Sequence, residues 1–317
     1  MRAPFAAVAL VAMAVVVAGL TGCSSGRDDP AALVSAYQRH VVDGDIEAAL
    51  ALDGTHVGPE QVLLRNAAYA TAKNRMTDFT IESVHIDGDS ANVRVRTVQK
   101  SGKRLTRMAL TRKNGRWRLL PASLGYIEVQ AGPDGIAPTL GGQPIPVGST
   151  PTLYAFPGDY ELSGTSTSDV HVAPATTRLE GYGSRAGAAP AVAPTPEAQA
   201  RLEAAAQAHL DDCAAQGDRT TWPDCPFLAD TSDKWWTASH WNIERRPVFP
   251  PAEWEPECRF GTGAGATPGC WMLTSEEFDA SLTVSGDGYE TTAEPAPATV
   301  RGWTKSFSPV DLRPLRL

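Results

Sequence analysis

Residues 113–119 read KNGRWRL, which is the pattern of a tight turn followed by a strand. Asn114-Gly115 is among the strongest short signals for a two-residue β-hairpin turn. The Arg, Trp, Arg and Leu that follow alternate in character, so one face of the strand is apolar and the other is basic. The run therefore predicts the last strand of an antiparallel sheet with one buried face.

The sequence before this run predicts helices first and then a meander of strands. Strand-like runs cover residues 79–84, 91–98, 105–111 and 116–120, and they are separated by Gly-containing turns such as Asp87-Gly88-Asp89 and Ser101-Gly102. Apolar residues at helical spacing cover residues 30–42, a shorter piece up to 52, and a stretch from 60 to 73. Residues 30–126 thus form one predicted unit.

This order, closed by the Gly-x-Trp-x-Leu strand at residues 115–119, resembles the nuclear-transport-factor-2-like superfamily. The resemblance implies an α+β fold, in which a curved sheet wraps a helix to form a cone-shaped domain. Its members include enzymes, ligand binders and inert modules attached to lipoproteins and penicillin-binding proteins. The resemblance therefore predicts a fold and leaves the activity open.

The first residues predict export and lipid attachment. Arg2 precedes an apolar run at residues 5–20, which is short for a membrane-spanning helix and right for a secretory signal. The sequence LTGC at residues 20–23 resembles the lipobox of bacterial lipoproteins. That resemblance implies a signal peptide at residues 1–22, a diacylglyceryl anchor on Cys23 at the extracytoplasmic face of the cell membrane, and a tether at 23–29. The alternatives are a secreted protein cut elsewhere and a retained membrane helix.

Four further cysteines predict disulfides, because an even number outside the cytoplasm favours them. They are Cys213, Cys225, Cys258 and Cys270, and three pairings are open. Both sequential intervals enclose Gly, Pro and Thr suited to a closed loop, which favours joining 213 with 225 and 258 with 270. A zinc site would need shorter Cys-x(2–4)-Cys pairs.

The remaining chain predicts β-rich units after the first domain. VGSTP at residues 147–151 and FPGDYEL at 156–162 resemble the PEGA-type surface repeat, so residues 127–183 are predicted as a small β domain. An Ala/Pro linker is predicted at 184–194. Residues 195–317 follow as a helix and a disulfide-bonded, Trp-rich β domain, part of which resembles actinobacterial envelope proteins of unknown role.

Charge segregation is the strongest candidate for function in the first domain. The chain has a net charge of -8, which argues against nucleic-acid binding by the protein as a whole. Between Ser90 and Ile127, however, there are ten basic residues and no acidic one. Strand alternation predicts that some of these share a face of their strand, and one hypothesis is that this face contacts an anion, either phospholipid headgroups or a wall polymer. The candidates are Arg94, Arg96, Lys100, Arg116 and Arg118. The alternative is a solvated sheet face balanced by helix acids such as Asp43, Asp45 and Glu47.

Tryptophans are concentrated in the last third of the chain, which holds seven of the eight. Most are expected to pack in a small disulfide-bonded core. Exposed ones are candidates for stacking on a glycan or on another envelope protein. The candidates are Trp235, Trp236 and Trp241, with Trp254 as a further one.

The sequence predicts no catalytic residue, no metal site and no cofactor. The motifs H-E-x-x-H, S-x-x-K and K-T-G do not occur. The sequence therefore predicts a non-catalytic binding or scaffolding lipoprotein of the cell envelope. One alternative is an enzyme or small-ligand binder with a cavity near Tyr37, His40, Tyr69 and Trp117, where His40 and Asp43 would be an acid–base pair. A second alternative, by analogy alone, is an accessory to peptidoglycan synthesis.

Overall fold

The structure is a computed structural model, and it describes the chain in segments. These are residues 29–122, 124–145, 151–215, 238–243, 245–258, 267–286, 289–292, 296–298, 301–307, 310 and 313–314.

The described residues form four helices and twenty-one strands. The helices are α1 (Pro30–Asp43), α2 (Ile46–Asp53), α3 (Asn66–Thr71) and α4 (Pro196–Ala215). The strands are β1 (Met76–Asp87), β2 (Ser90–Gln99), β3 (Gly102–Lys113), β4 (Arg116–Leu119), β5 (Gly125–Val129), β6 (Pro138–Leu140), β7 (Gln143–Pro144), β8 (Thr152–Ala155), β9 (Gly158–Gly164), β10 (Val170–Ala173), β11 (Ala175–Leu179), β12 (Arg185–Ala188), β13 (Ala191–Pro194), β14 (Ala238–Ile243), β15 (Glu253–Cys258), β16 (Thr267–Thr274), β17 (Phe278–Gly286), β18 (Tyr289–Thr292), β19 (Ala296–Ala298), β20 (Arg301–Thr304) and β21 (Arg313–Pro314).

Helix α1 is fixed by local signals at both ends. The Asp29 carboxylate accepts a hydrogen bond from the Ala31 N–H at 2.9 Å, and Pro30 occupies the first turn, where it needs no donor. The helix ends at Gly44, whose φ of +84° is a left-handed conformation that glycine adopts without strain. The predicted helix is confirmed, one residue longer than expected.

Helix α3 is shorter than predicted, since residues 60–65 form turns. These turns are held by a contact from distant sequence. The Gln61 side-chain oxygen accepts a hydrogen bond from the Tyr154 N–H in β8 at 2.9 Å. Tertiary contacts therefore override a helical pattern here.

Strands β1 to β4 form one antiparallel sheet in chain order. Asn114 and Gly115, with φ of 53° and 75°, form the predicted turn between β3 and β4. The sheet packs against α1 and α2 through alternate side chains, including the fully buried Val93 and Val95 and the nearly buried Trp117. The predicted meander is confirmed.

The strands from β5 to β12 contribute side chains to the same hydrophobic core. Strand β5 pairs with β8 and with β12, and β9 lies between β6 and β11. Phe156 is fully buried, with ring centroids 6.4 Å from Tyr37, 5.9 Å from Tyr69 and 6.2 Å from Tyr182. One continuous hydrophobic core thus includes residues from both sides of the predicted boundary at residue 126.

An ion pair between a nearly buried carboxylate and a half-exposed guanidinium links the two parts of this core. The Asp159 carboxylate accepts hydrogen bonds from Arg178 at 2.8 and 2.9 Å and from the Asn74 side chain at 3.2 Å. Its backbone exchanges two hydrogen bonds with Lys73, at 2.9 and 2.7 Å. The Arg178 guanidinium lowers the pKa of the Asp159 carboxyl, because its hydrogen bonds favour the charged form.

The segment predicted as a linker forms strands in the structure. Its two halves, β12 and β13, are short and rich in alanine. Strand β12 pairs in parallel with β5, and β13 pairs antiparallel with β10. Composition alone indicated a flexible segment, but distant strands supply partners for its backbone groups.

The last part of the chain builds a second core around α4. Leu202 and Leu210 on this helix are fully buried and belong to one cluster with Trp271, Phe278 and Phe307. The Ala198 N–H donates to the Thr195 hydroxyl at 3.3 Å, so Thr195 caps the start of this helix. Two antiparallel sheets, β14-β17-β18 with β19 beside β17, and β15-β16-β20-β21, complete the described part of this region.

The predicted α+β fold class is wrong, because the described residues are mainly β. Three of the four helices lie before β1, and α4 is alone among the later strands of the described chain. The strands are distributed over several small sheets, and the architecture is not a cone-shaped domain with appendages. The resemblance described only the first third of the chain, and the long β-rich remainder determines the class.

Candidate functional site

Alternation along β2 and β4 carries basic side chains to one face of the first sheet. Val93 and Val95 are fully buried against the helices, and Trp117 is 2% exposed. The residues that alternate with these buried ones along each strand project to the opposite face, where they are exposed. Arg94 on β2 and Arg118 on β4 are examples. The burial of the apolar residues thus fixes the orientation of the basic ones.

Strand register brings these cations together across three strands. Arg94 lies directly opposite Arg107, and Lys113 directly opposite Arg116. Residues opposite each other in an antiparallel pair share a face. We call the resulting set the basic face; its members are Arg94, Arg96, Lys103, Arg107, Lys113, Arg116 and Arg118.

One member of the basic face pairs with a carboxylate, and that carboxylate lies on the edge strand β1. Glu82 forms an ion pair with Arg96, at a point where a register irregularity between Ile81 and Ser83 distorts β1. Within the described residues, none of the other six basic-face side chains has a carboxylate within 4 Å. Six exposed cations therefore have no ion-pair partner within 4 Å among the described residues.

Four of the five cations predicted to face an anion lie on this face, and one does not. Lys100 follows the end of β2 and lies in the turn before β3, so strand alternation does not place it. The face also holds Lys103, Arg107 and Lys113, which were not among the predicted candidates. The Ser101-Gly102 turn could have identified these residues, because it sets the register of β3 against β2.

The other basic residues of β3 are engaged on the opposite side. Arg104 forms an ion pair with Glu180. The guanidinium of Arg112 lies 4.4 Å from the ring centroid of Trp117, which is a cation–π distance. These two side chains serve packing and do not belong to the basic face.

The residues predicted to surround a catalytic cavity are core residues. Tyr37 and Tyr69 are fully buried, and burial raises the pKa of Tyr69 to about 12. The Tyr182 hydroxyl donates to the Gln38 side-chain oxygen at 3.3 Å within the same region. These contacts are those of a packed interior.

His40 is half-buried and does not pair with Asp43 as predicted. Its ring nitrogen lies 3.7 Å from the Asp45 carboxylate. Asp45 also accepts a hydrogen bond from the Ala48 N–H at 3.4 Å, which caps α2. This cluster is explained by the junction of two helices.

A cleft of about 520 Å³ lies beside Trp254, between the middle strands and the last region. It is lined mainly by alanines and prolines from residues 189–193 and 250–256. The Trp254 ring N–H donates to the Ala131 carbonyl at 3.3 Å, and its ring packs against Trp271 at 5.5 Å. Trp254 is thus half-buried and fixed in place.

Several predicted residues lie outside the described part of the chain. These include Cys23, Cys225, Trp235 and Trp236. Trp241 belongs to β14, but its side chain is not described. Their predicted roles stay predictions.

The predicted cysteine pairing also stays a prediction. No disulfide joins two cysteines whose side chains are both among the described residues. Within the same residues, no three His, Cys, Asp or Glu side chains are grouped so as to hold a metal ion. None of the described helices is long and apolar enough to cross a membrane.

Comparison with known proteins gives little. No protein-family model matches this chain, and no curated protein matches it at a significant level. Among solved structures, a Campylobacter jejuni protein described as an NTF2-like transpeptidase is similar at 23% sequence identity, with 29% of this chain and 98% of that chain covered. The TM-score is 0.24, so this weak neighbour carries no argument about fold or activity.

Proposed function

We propose that the protein is a lipid-anchored, non-catalytic component of the cell envelope that binds an anionic partner through the basic face. The apolar run and the LTGC sequence at residues 5–23 support the proposed lipid anchor. Several acyl chains on Cys23 would make membrane attachment durable. Incorporation of labelled palmitate into the full-length chain, lost in Cys23→Ser, tests this part of the proposal.

The observation that supports anion binding is the opposition of like charges. Arg94 and Arg107 lie directly across from each other and have no carboxylate partner in the described chain. Like charges in such positions destabilise a sheet. An anionic partner would remove this repulsion, and the planar guanidinium groups suit phosphate or carboxylate oxygens.

The alternative, in which helix acids balance the basic face, has less support. Asp45 interacts with His40 and with the first turn of α2. Glu47 lies 4.0 Å from Arg65 on the helical side of the sheet. These two acids are engaged with other groups, away from the basic face.

Polyphosphate binding tests the proposal with a defined polyanion. The chain from Ser24 onward, without acyl groups, is expected to bind it in low salt and to release it as salt rises. The quadruple variant R94Q/R107Q/R116Q/R118Q should lose this binding. The control R39Q/R245Q/R301Q/K305Q makes the same change in net charge at exposed positions elsewhere and should retain it. Equal binding by both variants, or no binding of the parent chain to polyphosphate and to anionic vesicles, would contradict the proposal.

A further inference from the structure

Two exposed leucines lie among the cations of the basic face. Leu105 is 51% exposed and lies directly opposite Arg96. Along β3 it stands two residues from both Lys103 and Arg107, and therefore on the same face.

Leu120 continues the same face beyond β4. Its N–H donates to the Ala109 carbonyl at 2.9 Å, which extends the pairing of β4 with β3 by one residue. It stands two residues after Arg118, so alternation turns it outward, and it is 44% exposed. Strand geometry separates Leu105 from Leu120 by roughly 14 Å.

A single exposed leucine needs no explanation, but this arrangement does. Six large apolar side chains are exposed among the described residues, and two of them stand within one cluster of seven cations. A soluble polyanion would satisfy the cations and leave both leucines in water. The surface of an anionic bilayer satisfies both, because headgroups pair with cations and the acyl boundary accepts apolar side chains.

We infer that the basic face is a membrane-docking surface, on which Leu105 and Leu120 enter the headgroup region of an anionic phospholipid bilayer. This inference rests on the proposed function, since it names the anionic partner. The sequence places the lipid-acceptor Cys23 seven residues before Pro30. Such a segment spans at most about 25 Å when fully extended. The first domain is therefore held close to the bilayer, where weak surface contacts act at a high effective concentration.

Vesicle binding by the chain from Ser24 onward tests the inference without the acyl anchor. Vesicles of phosphatidylcholine with one-third phosphatidylglycerol should bind the protein, and pure phosphatidylcholine should not. Raising the salt concentration should weaken binding. The quadruple arginine variant should lose at least about 100-fold in partitioning, since each basic residue near the surface contributes roughly fivefold.

Replacing the leucines separates bilayer entry from simple charge attraction. L105S/L120S should lower partitioning about tenfold, with no effect on polyphosphate binding. The matched control I86S/V248S changes two exposed apolar residues outside the basic face and should partition like the parent. As a second measurement, Leu105→Trp should add emission that brominated phospholipid quenches.

The outcomes distinguish the two proposals. Binding to polyphosphate without binding to anionic vesicles overturns the membrane inference and leaves the proposed function standing. Vesicle binding that L105S/L120S does not change, with no lipid quenching of Leu105→Trp, also overturns the inference. Binding to neither probe overturns both. Vesicle binding that depends on both the arginines and the leucines supports both.

Discussion

The two sides of the β1–β4 sheet differ in character, since one side packs in the hydrophobic core and the other carries exposed cations. On the helical side, Val95 and Trp117 are buried in a continuous core. On the other side, their sequence neighbours Arg96 and Arg118 are exposed, and most cations there have no described partner. Residues on the helical side determine whether the domain folds, whereas those on the basic face can change without loss of packing. A binding surface can therefore be altered one residue away from the core.

Trp117→Ala should give the largest effect. Removal of this buried ring leaves a cavity in the core, at an expected cost of about 3–5 kcal/mol in the free energy of unfolding. Urea denaturation measures the change. Arg118→Ala, the adjacent residue on the basic face, should change stability by no more than about 0.5 kcal/mol. Comparable costs for the two variants would show that the two sides of the sheet are not separable.

Asp159→Asn should give the next largest effect, since it removes the charged acceptor at the junction of the first sheet and the middle strands. Loss of its charge-assisted hydrogen bonds with Arg178 should cost about 1.5–3 kcal/mol. The control Glu161→Gln alters a carboxylate on the same strand that is 51% exposed and 3.6 Å from Lys73. It should cost less than about 1 kcal/mol. An equal loss in both variants would refute a special role for the pair of Asp159 with Arg178.

The same carboxylate should make stability depend on acid pH. The folded-state pKa of Asp159 is lowered, so its contribution is present above the pKa of the unfolded chain, about 3.9. It is lost as pH falls through the lower folded pKa. The stability difference between the parent and Asp159→Asn should therefore shrink as pH falls below about 4. A difference that is constant down to pH 2 would argue against this linkage.

Arg107→Gln should give the smallest effect, and one of opposite sign. It relieves the repulsion with Arg94, so the free energy of unfolding should rise by about 0.2–1 kcal/mol at low salt. The gain should diminish as salt screens the charges. Arg39→Gln, at an exposed helix position, is the control and should show no such gain. A destabilised Arg107→Gln protein would mean that this arginine supports the fold.

Local signals in the sequence predicted local structure well. Asn114-Gly115 predicted the last turn of the first sheet, and apolar residues at helical spacing predicted α1 from residue 30. Alternation around Arg94 predicted which residues point away from the core. These features depend on residues close together in the chain, so the sequence contains the information directly.

Features that depend on distant partners could not be predicted. The ion pair of Glu82 with Arg96 arises at an irregularity in β1 that no turn residue marks. The strands within residues 184–194 form only because β5 and β10 are available to pair with them. The mainly β fold class follows from many such pairings. The exposure of Leu105 among cations also required the register of β3, since its sequence neighbours alone do not show its face.

The parallel pairing of β12 with β5 has a consequence for biosynthesis. Tyr126 on β5 is aligned with Arg185 on β12, which is about 60 residues later in the chain. During synthesis, β5 is therefore complete well before its partner strand exists. Until Ala188 has been synthesised, one edge of β5 carries unpaired hydrogen-bonding groups. Such an edge is a template for pairing with other chains, and a chaperone that holds the emerging polypeptide would prevent this. Truncation before residue 185 should therefore give an aggregating product, although the whole helix-and-meander segment has been made.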